Sequence, residues 1–484
     1  MAELAISAGK VYSRSIVQTD GSTYFLVRKG AKDEWRLAVR GDPRGFEYTE
    51  TEGENFALCP LSTENAALLR ERLPALRPSA LGTRRSFGFG DRIGNATPGH
   101  IQALEASGAE ELIAPVFAQQ SVRENSRTKR TPQQVLDDAT WGVFQMGWKQ
   151  PWGADADRMK GVPDLKPFLD AGYSYFTIDP SVHVDEREKD LYPDELEAKV
   201  KELPWSELGS SYADMRERYL QDGFALEGFR LSYDEAELQR VLLMYAPALL
   251  HSRSIIEAIQ EARESQAFDL EIAIDQTKSA TSVHEHFFLA SEFQRLGLPV
   301  NNLGLHYPGN FQRGGEFLGD LNEFEQEFKR HAAIMRHFGG YKLCVHTGSD
   351  KYSLYPIIAQ HAAGMVHIKT SGTSYLEALR VIAAREPKLF RSILELARAH
   401  FDRERKAYAA EARITNVPGS NALKDRQLPG LLDQFDSRQV LHISFGMIME
   451  SFSQEILACL DKRDEAYWSA LEGHFKKHMQ PFLG

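Results

Sequence analysis

The sequence predicts an α/β fold whose centre is a closed (β/α)8 barrel of the TIM type, with a small β-rich module before it and a helical segment after it. Three observations carry that expectation. Four strand-helix units follow one another between Phe268 and Glu386. Three or four further apolar runs of strand length stand upstream, which brings the strand count to eight. Most of these runs end on a polar residue, which is where α/β folds gather their functional groups. A doubly wound open sheet is the alternative, because periodicity does not distinguish closure from an open edge.

Taken in order, residues 1–82 form the β-rich module. The runs KVYSRSIVQ, TYFLVRK, WRLAVR and FEYTE are aromatic and β-branched, and Asp-Gly, Lys-Gly and Gly-Asp turn signals separate them. Residues 83–415 form the barrel. SFGFGD, LIAPVFA and YSYFTIDP read as its early strands, with VFQMGW as the fourth of that group. FDLEIAIDQ, VNNLGLHY, YKLCVH and MVHIK are the later ones, each followed by a helix. Ser282 with Glu285 fits a capping box and Gly297 a helix stop, while Asn322 and Gly339 bracket the next helix. In that helix Phe324, Phe328, Met335 and Phe338 recur at helical spacing and give it one face to lay on a sheet. Residues 416–484 are a mostly helical appendage, and VLHISFGMIME within it reads as one more apolar, strand-like run.

The 484 residues are 42% hydrophobic and 26% charged, with a formal charge of −11, which argues against nucleic acid as a partner. The three cysteines, Cys59, Cys344 and Cys459, form no CxxC pair and indicate neither a disulfide framework nor a zinc ribbon. The N-terminus has no signal-peptide core and no run reaches the roughly 18 apolar residues that a membrane span needs. A cytoplasmic protein is expected, acting on a small molecule, with homo-oligomerisation left open.

The strand ends supply the candidate chemistry: Asp91 and Arg92, Gln119 and Gln120, Asp179, Asp275 and Gln276, His306, His346, and His367 with Lys369. His346 and His367 are read as standing at the same C-terminal edge of neighbouring strands. Two imidazoles with an oxygen from Gln276 or Asp275 suit a divalent ion such as Zn²⁺, Ni²⁺, Co²⁺ or Mn²⁺. The alternative is two core histidines with ordinary hydrogen bonds. The loop after His346, with Ser349 and Asp350, and the one from Thr370 to Ser374 offer hydroxyls and NH groups to a polyol, carboxylate or phosphate. Gly88, Gly90 and Gly94 have the wrong spacing for a dinucleotide fingerprint, so no nicotinamide is expected.

Six stretches carry a resemblance: QQSVRENSRTKRTP, GADADRMK, FTIDPS, EHFFLASEF, VHTGSDKYSLYPIIAQH and VHIKTSGTSYLEALRVIA. Together they resemble the tagaturonate/fructuronate epimerase family of hexuronate catabolism, whose relatives include ketohexose 4-epimerases. The resemblance implies a metal-dependent barrel enzyme, with His346 and His367 as ligands. This chain has Asp275-Gln276 where the family pattern has Asp-Glu, and LGLHY with His306 where it has an Arg in a segment like LAPRF. An Arg is the natural bidentate partner of a carboxylate, so its loss favours a neutral ketose or an altered binding mode.

The two uronates differ at the carbon β to the ketone, which a single α-proton transfer does not invert. Retro-aldol cleavage and re-addition does, with Glu124 or Asp179 as base and Lys369 polarising the carbonyl. Asp91, Gln120, Asp275, His306, Ser349, Asp350 and Thr370 are the expected substrate contacts. An aldolase-type lyase on a keto sugar, with Lys369 as a Schiff base in its class I form, and a non-catalytic sugar-binding protein are the rival readings.

Overall fold

A computed structural model describes residues 9–28, 34–50, 56–187, 191–408 and 410–484. Eight parallel strands close into a barrel. They are β1 (Ser86–Phe89), β2 (Ala114–Ser121), β3 (Gly153–Met159), β4 (Tyr175–Ile178), β5 (Asp269–Ala273), β6 (Asn302–Gly304), β7 (Lys342–His346) and β8 (Val366–Thr370). Each pairs with the next in sequence, and β8 closes on β1 with His367 opposite Ser86 and Lys369 opposite Gly88. Before the barrel lies a six-stranded antiparallel sheet between Lys10 and Pro60. Behind it the chain ends in the helices Pro387–Glu404, Phe435–Ile443, Phe445–Asp461 and Asp464–Met479. None of the described helices is long and apolar enough to cross a membrane.

Two readings of the sequence are corrected. VFQMGW is not a strand: its first residues close the helix Pro132–Gln145, which begins at a capping box between Thr131 and Gln134. The strand in that position is GADADRM, which has no apolar run to announce it. Its Ala154 and Ala156 pack outward into the core, while Asp155 and Asp157 point into the barrel towards Lys369. This alternation inverts the usual rule of apolar inside and polar outside. VLHISFGMIME is likewise helical, split between Phe435–Ile443 and Phe445–Asp461. Residues 440–449, at the junction of the two helices, are buried apart from a half-buried Met447, so they carry the unbroken apolar run of a buried strand.

The bore of the barrel is polar along its length. Lys342 Nζ donates to the Arg84 carbonyl and to Ser86 Oγ, both at 2.8 Å, and Tyr175 Oη donates to Glu271 at 2.6 Å. The C-terminal segment is tied to the barrel where glycines allow close approach. A Cβ on Gly99 would lie 2.6 Å from Leu471, and one on Gly372 would lie 2.1 Å from the His442 ring. Gly372→Ala should therefore lower stability by about 1–3 kcal/mol, the usual cost of overpacking. Gly108 faces open space and there Ala meets only its left-handed φ. Thermal unfolding of Gly372→Ala at wild-type midpoint would show that the helix carrying His442 is loosely seated.

Candidate active site

At the C-terminal mouth of the barrel lies a cleft of about 350 Å³, lined by Gln119, Ser121, Asp157, Arg158, His346 and Lys369 from the strands, by Asp275 and Gln276 just past the end of β5, and by further loop residues. Its chemistry begins with an irregularity in β3. Phe176 pairs with Ala156 but Ile178 pairs with Met159, so β3 holds one residue more than β4 over that interval. Arg158 takes up the slack with φ +60°. Such bulges re-aim side chains, and here two consecutive residues, Asp157 and Arg158, both face the cleft.

Lys369 stands at the centre. Its ammonium lies 2.8 Å from Asp155, 3.1 Å from Asp157, 3.1 Å from Glu271 and 2.7 Å from Thr177 Oγ1. Burial works against the charge, but the three carboxylates outweigh it and hold the lysine well above its ordinary pKa. A lysine kept as ammonium is a hydrogen-bond donor rather than a Schiff-base nucleophile, which weighs against the class I aldolase reading. Asp155, the deepest carboxylate, is pushed up to about 7 by burial in spite of Lys369. Asp157 goes the other way: burial raises it, and Lys369, Arg158 and His346 together bring it below the usual carboxylate range.

Arg158 forms the second centre. Its guanidinium holds Asp275 through two hydrogen bonds of 2.9 and 2.6 Å, approaches Asp179 at 3.5 Å and reaches His346 Nδ1 at 2.5 Å. His346 Nε2 in turn lies 2.5 Å from Glu271. Both atoms occupy the room left by Gly304, whose missing Cβ would sit 3.2 Å from each. Burial opposes a charge on His346, yet Asp275 and Glu271 lift its pKa to about 9. The guanidinium contact requires a lone pair on Nδ1, so His346 is neutral while that contact holds and pairs with Asp275 when protonated.

The expectation that His346 and His367 share one level of the rim is corrected by register. His346 lies opposite Lys369, and His367 lies opposite Cys344. The two imidazoles are thus two residues apart in height, roughly 6.6 Å along the strand. His367 is fully buried, its Nδ1 bonded to Ser86 Oγ at 2.8 Å, and its Nε2 has no hydrogen-bond partner among the described residues. A divalent ion needs lone pairs converging at about 2 Å. As arranged, His346 spends its two nitrogens on Arg158 and Glu271, and cationic side chains already hold the surrounding carboxylates. The expected set of His346, His367 and Gln276 does not fit a shared ion.

The other expected residues take varied positions. Glu124 lines the cleft, but one of its oxygens accepts two bonds from Arg92, at 2.9 and 2.6 Å, and the other closes a capping box with Ser121. Asp179 sits behind Arg158 and caps Ser181. Asp91 accepts from the backbone of Ile93, Gly94 and Ala96 and so shapes its own loop. Gln119 faces the cleft, whereas Gln120 is buried outside it. His306 bonds to Thr277 outside the cleft, and Thr370 ties β8 to the Gly88 carbonyl. Ser349 turns to the Gly315 carbonyl. Sequence reasoning missed Asp157, Arg158, Glu271, Arg313 and Tyr408. The first two lay in a quoted motif without a strand pattern to aim them, and Arg313 and Tyr408 lie in loops that carry no periodicity at all.

Asp350 is a buried hub beneath the mouth. One oxygen meets His474 at 2.8 Å, His478 at 2.9 Å and Thr373 at 3.3 Å, and the other meets Arg438. His474 reaches Glu377 at 3.1 Å through its second nitrogen. Among the described residues, Asp350, His474 and His478 are the only such donors close enough to share a metal. Their charges already balance, because Asp350 and Glu377 face Arg438 and a protonated His474. Burial disfavours that imidazolium, but Asp350 and Glu377 raise it to about 9.

The sequence profile of the tagaturonate epimerase family matches residues 12–482 of this chain. A tagaturonate/fructuronate epimerase of Thermotoga maritima is 38% identical over 482 residues, covering 98% of this chain and 97% of the relative. The native crystal structure of a fructuronate-tagaturonate epimerase from Cohnella laeviribosi superposes with a TM-score of 0.91 at 33% identity, covering 99% of this chain and 97% of its own. A glycerol complex of the same enzyme gives 0.90 at 33% identity, covering 98% and 96%.

The Asp350 hub makes a pH prediction. His474 has a folded pKa above its unfolded value, so its contribution is complete below about 6.5 and fades as pH rises through about 9. His474→Gln should cost on the order of 3 kcal/mol near pH 7 and progressively less as pH rises towards 9, where little of the cost remains, read from urea unfolding at each pH. A cost that does not change with pH would mean that His474 is not charged in the folded protein.

Proposed function

The chain belongs to the tagaturonate epimerase family, and from that premise we propose that it interconverts tagaturonate and fructuronate in the cleft at the barrel mouth. The observation that carries the reading is the pairing of an ionised, partly free carboxylate, Asp157, with two fixed cations, Lys369 and Arg158, around one sugar-sized space. One oxygen of Asp157 accepts from Lys369 at 3.1 Å, and no other hydrogen bond to its carboxylate is made among the described residues.

Inverting the carbon β to the ketone by retro-aldol chemistry needs these parts. Asp157 takes the proton from the β-hydroxyl as the bond between the α and β carbons breaks. The β carbon becomes an aldehyde, and the electron pair of the broken bond becomes an enediolate across the former ketone and α carbons. Lys369 and Arg158 donate hydrogen bonds to its oxygens, the electrostatic role for which fixed donors in a sheltered site are most effective. The aldehyde fragment turns over, the enediolate attacks its opposite face, and Asp157 returns the proton to the new alkoxide. Glu124 and Asp179 are held in pairs with Arg92 and Arg158, which makes Asp157 the better placed base.

The test is to incubate the protein separately with tagaturonate, fructuronate, tagatose and fructose, with and without added Zn²⁺, Ni²⁺, Co²⁺ or Mn²⁺, and to resolve the products chromatographically. Epimer from the uronates supports the reading, and epimer from the neutral sugars alone supports a ketohexose 4-epimerase instead. A protein that binds sugar and forms no epimer under any condition is a binding protein. Asp157→Asn should lower kcat by about 10²- to 10⁴-fold, the usual contribution of a general base, with a much smaller change in KM. Lys369→Met should lower kcat by a similar factor.

A further inference from the structure

We propose that Arg313 grips the carboxylate of the sugar acid and that the buried side-chain nitrogen of Lys351 positions it. The inference rests on the reading of the cleft as a uronate site and assigns the end of the substrate away from the ketone.

Among the guanidinium groups near the cleft, Arg92 is committed to Glu124, and Arg158 to Asp275 and Asp179. Arg313 lines the same cleft from the loop after β6, and its guanidinium has no hydrogen bond or ion pair with any described residue. It lies 4.9 Å from the centre of the Tyr408 ring, and Arg123 lies 4.7 Å from the same ring. Arg127 lies 5.0 Å from that ring as well, so three guanidinium groups share one aromatic shelf; Arg127 is paired with Glu404, whereas Arg123 and Arg313 have no ion pair among the described residues. Burial first, and then the charges of Arg123 and Arg158, hold the pKa of Arg313 down to about 10. A carboxylate there would relieve that repulsion and accept a bidentate pair from the planar fork. A neutral ketohexose offers nothing equivalent at that end.

The loop is fixed on both sides of Arg313. Lys351 Nζ lies within hydrogen-bond distance of the carbonyls of Gln312 at 3.0 Å and Gly315 at 2.7 Å, and also of Thr347 O at 3.1 Å and Ser349 Oγ at 3.2 Å, among which its N–H groups are shared. Gln439 adds a bond to the Arg313 carbonyl at 3.0 Å. Gly314 has φ +74°, and a Cβ on Gly315 would lie 2.5 Å from Phe435, so the turn seats only with small residues. One lysine thereby couples the loop after β7 to the loop that presents Arg313.

The experiment compares Arg313→Gln and Arg313→Lys with the wild type, using tagaturonate and tagatose as probes in steady-state kinetics and in titration calorimetry. Arg313→Gln should raise the KM and weaken the binding of tagaturonate by at least tenfold while leaving tagatose within about twofold, and Arg313→Lys should recover part of the loss. Lys351→Met should raise the tagaturonate KM with kcat nearly preserved, a split that general loss of structure does not produce. Its thermal midpoint is measured alongside. The assignment is overturned if Arg313→Gln leaves tagaturonate unaffected or weakens both sugars equally. If the wild type forms no epimer yet binds tagaturonate through Arg313, the activity falls and the carboxylate site stands.

Discussion

Everything at the barrel mouth depends on a buried charge imbalance. Asp155, Asp157, Glu271, Asp275 and Asp179 are gathered around two permanent cations, Lys369 and Arg158, with His346 able to supply a third. Removing so many charges from water is costly, and pairing alone seldom recovers the cost. The arrangement persists because five strands or their ends, β3, β4, β5, β7 and β8, fix these groups against one another, and Lys369 and Arg158 each hold two or more of the carboxylates. A polar bore of this kind is poor design for stability alone. It is what a site needs if charge is to develop on a substrate oxygen without the surroundings having to reorganise.

The same logic explains the C-terminal segment. It is more than a cover on the barrel, because its residues complete the loops that form the mouth. His474 and Arg438 neutralise Asp350, which lies just before Lys351, His478 adds a hydrogen bond to it, and Gln439 holds the loop that Lys351 also holds. The loops after β6 and β7 are therefore positioned by charges and hydrogen bonds donated from residues some 90 to 130 positions later in the chain. Substrate recognition and the docking of the final helices are in this way parts of one network.

Much of this was legible in the sequence, and the exceptions have physical reasons. The barrel was readable because most strands present apolar residues to the surrounding helices and end in polar ones. Strand β3 escaped because alanines face its core and aspartates face the bore, so that neither face gives an apolar signal. Lys369 lies two residues after His367 and so shares its side of the strand and its interior position, but height along the strand is not encoded in parity. The two histidines consequently read as level when register separates them. Arg158 was invisible as a site residue because it owes its direction to a bulge, and a bulge leaves no trace in periodicity. The hub of Asp350 joins residues that are far apart in the chain, which no local pattern reveals.

The most direct measurement of the central claim is a crystal structure of the protein with tagaturonate held in an Asp157→Asn background. The account places the ketone oxygen within hydrogen-bond distance of Lys369 or Arg158, the β-hydroxyl against residue 157, and the carboxylate on Arg313. A sugar bound elsewhere on the molecule, or bound in the cleft with its ketone turned away from both cations, would contradict it.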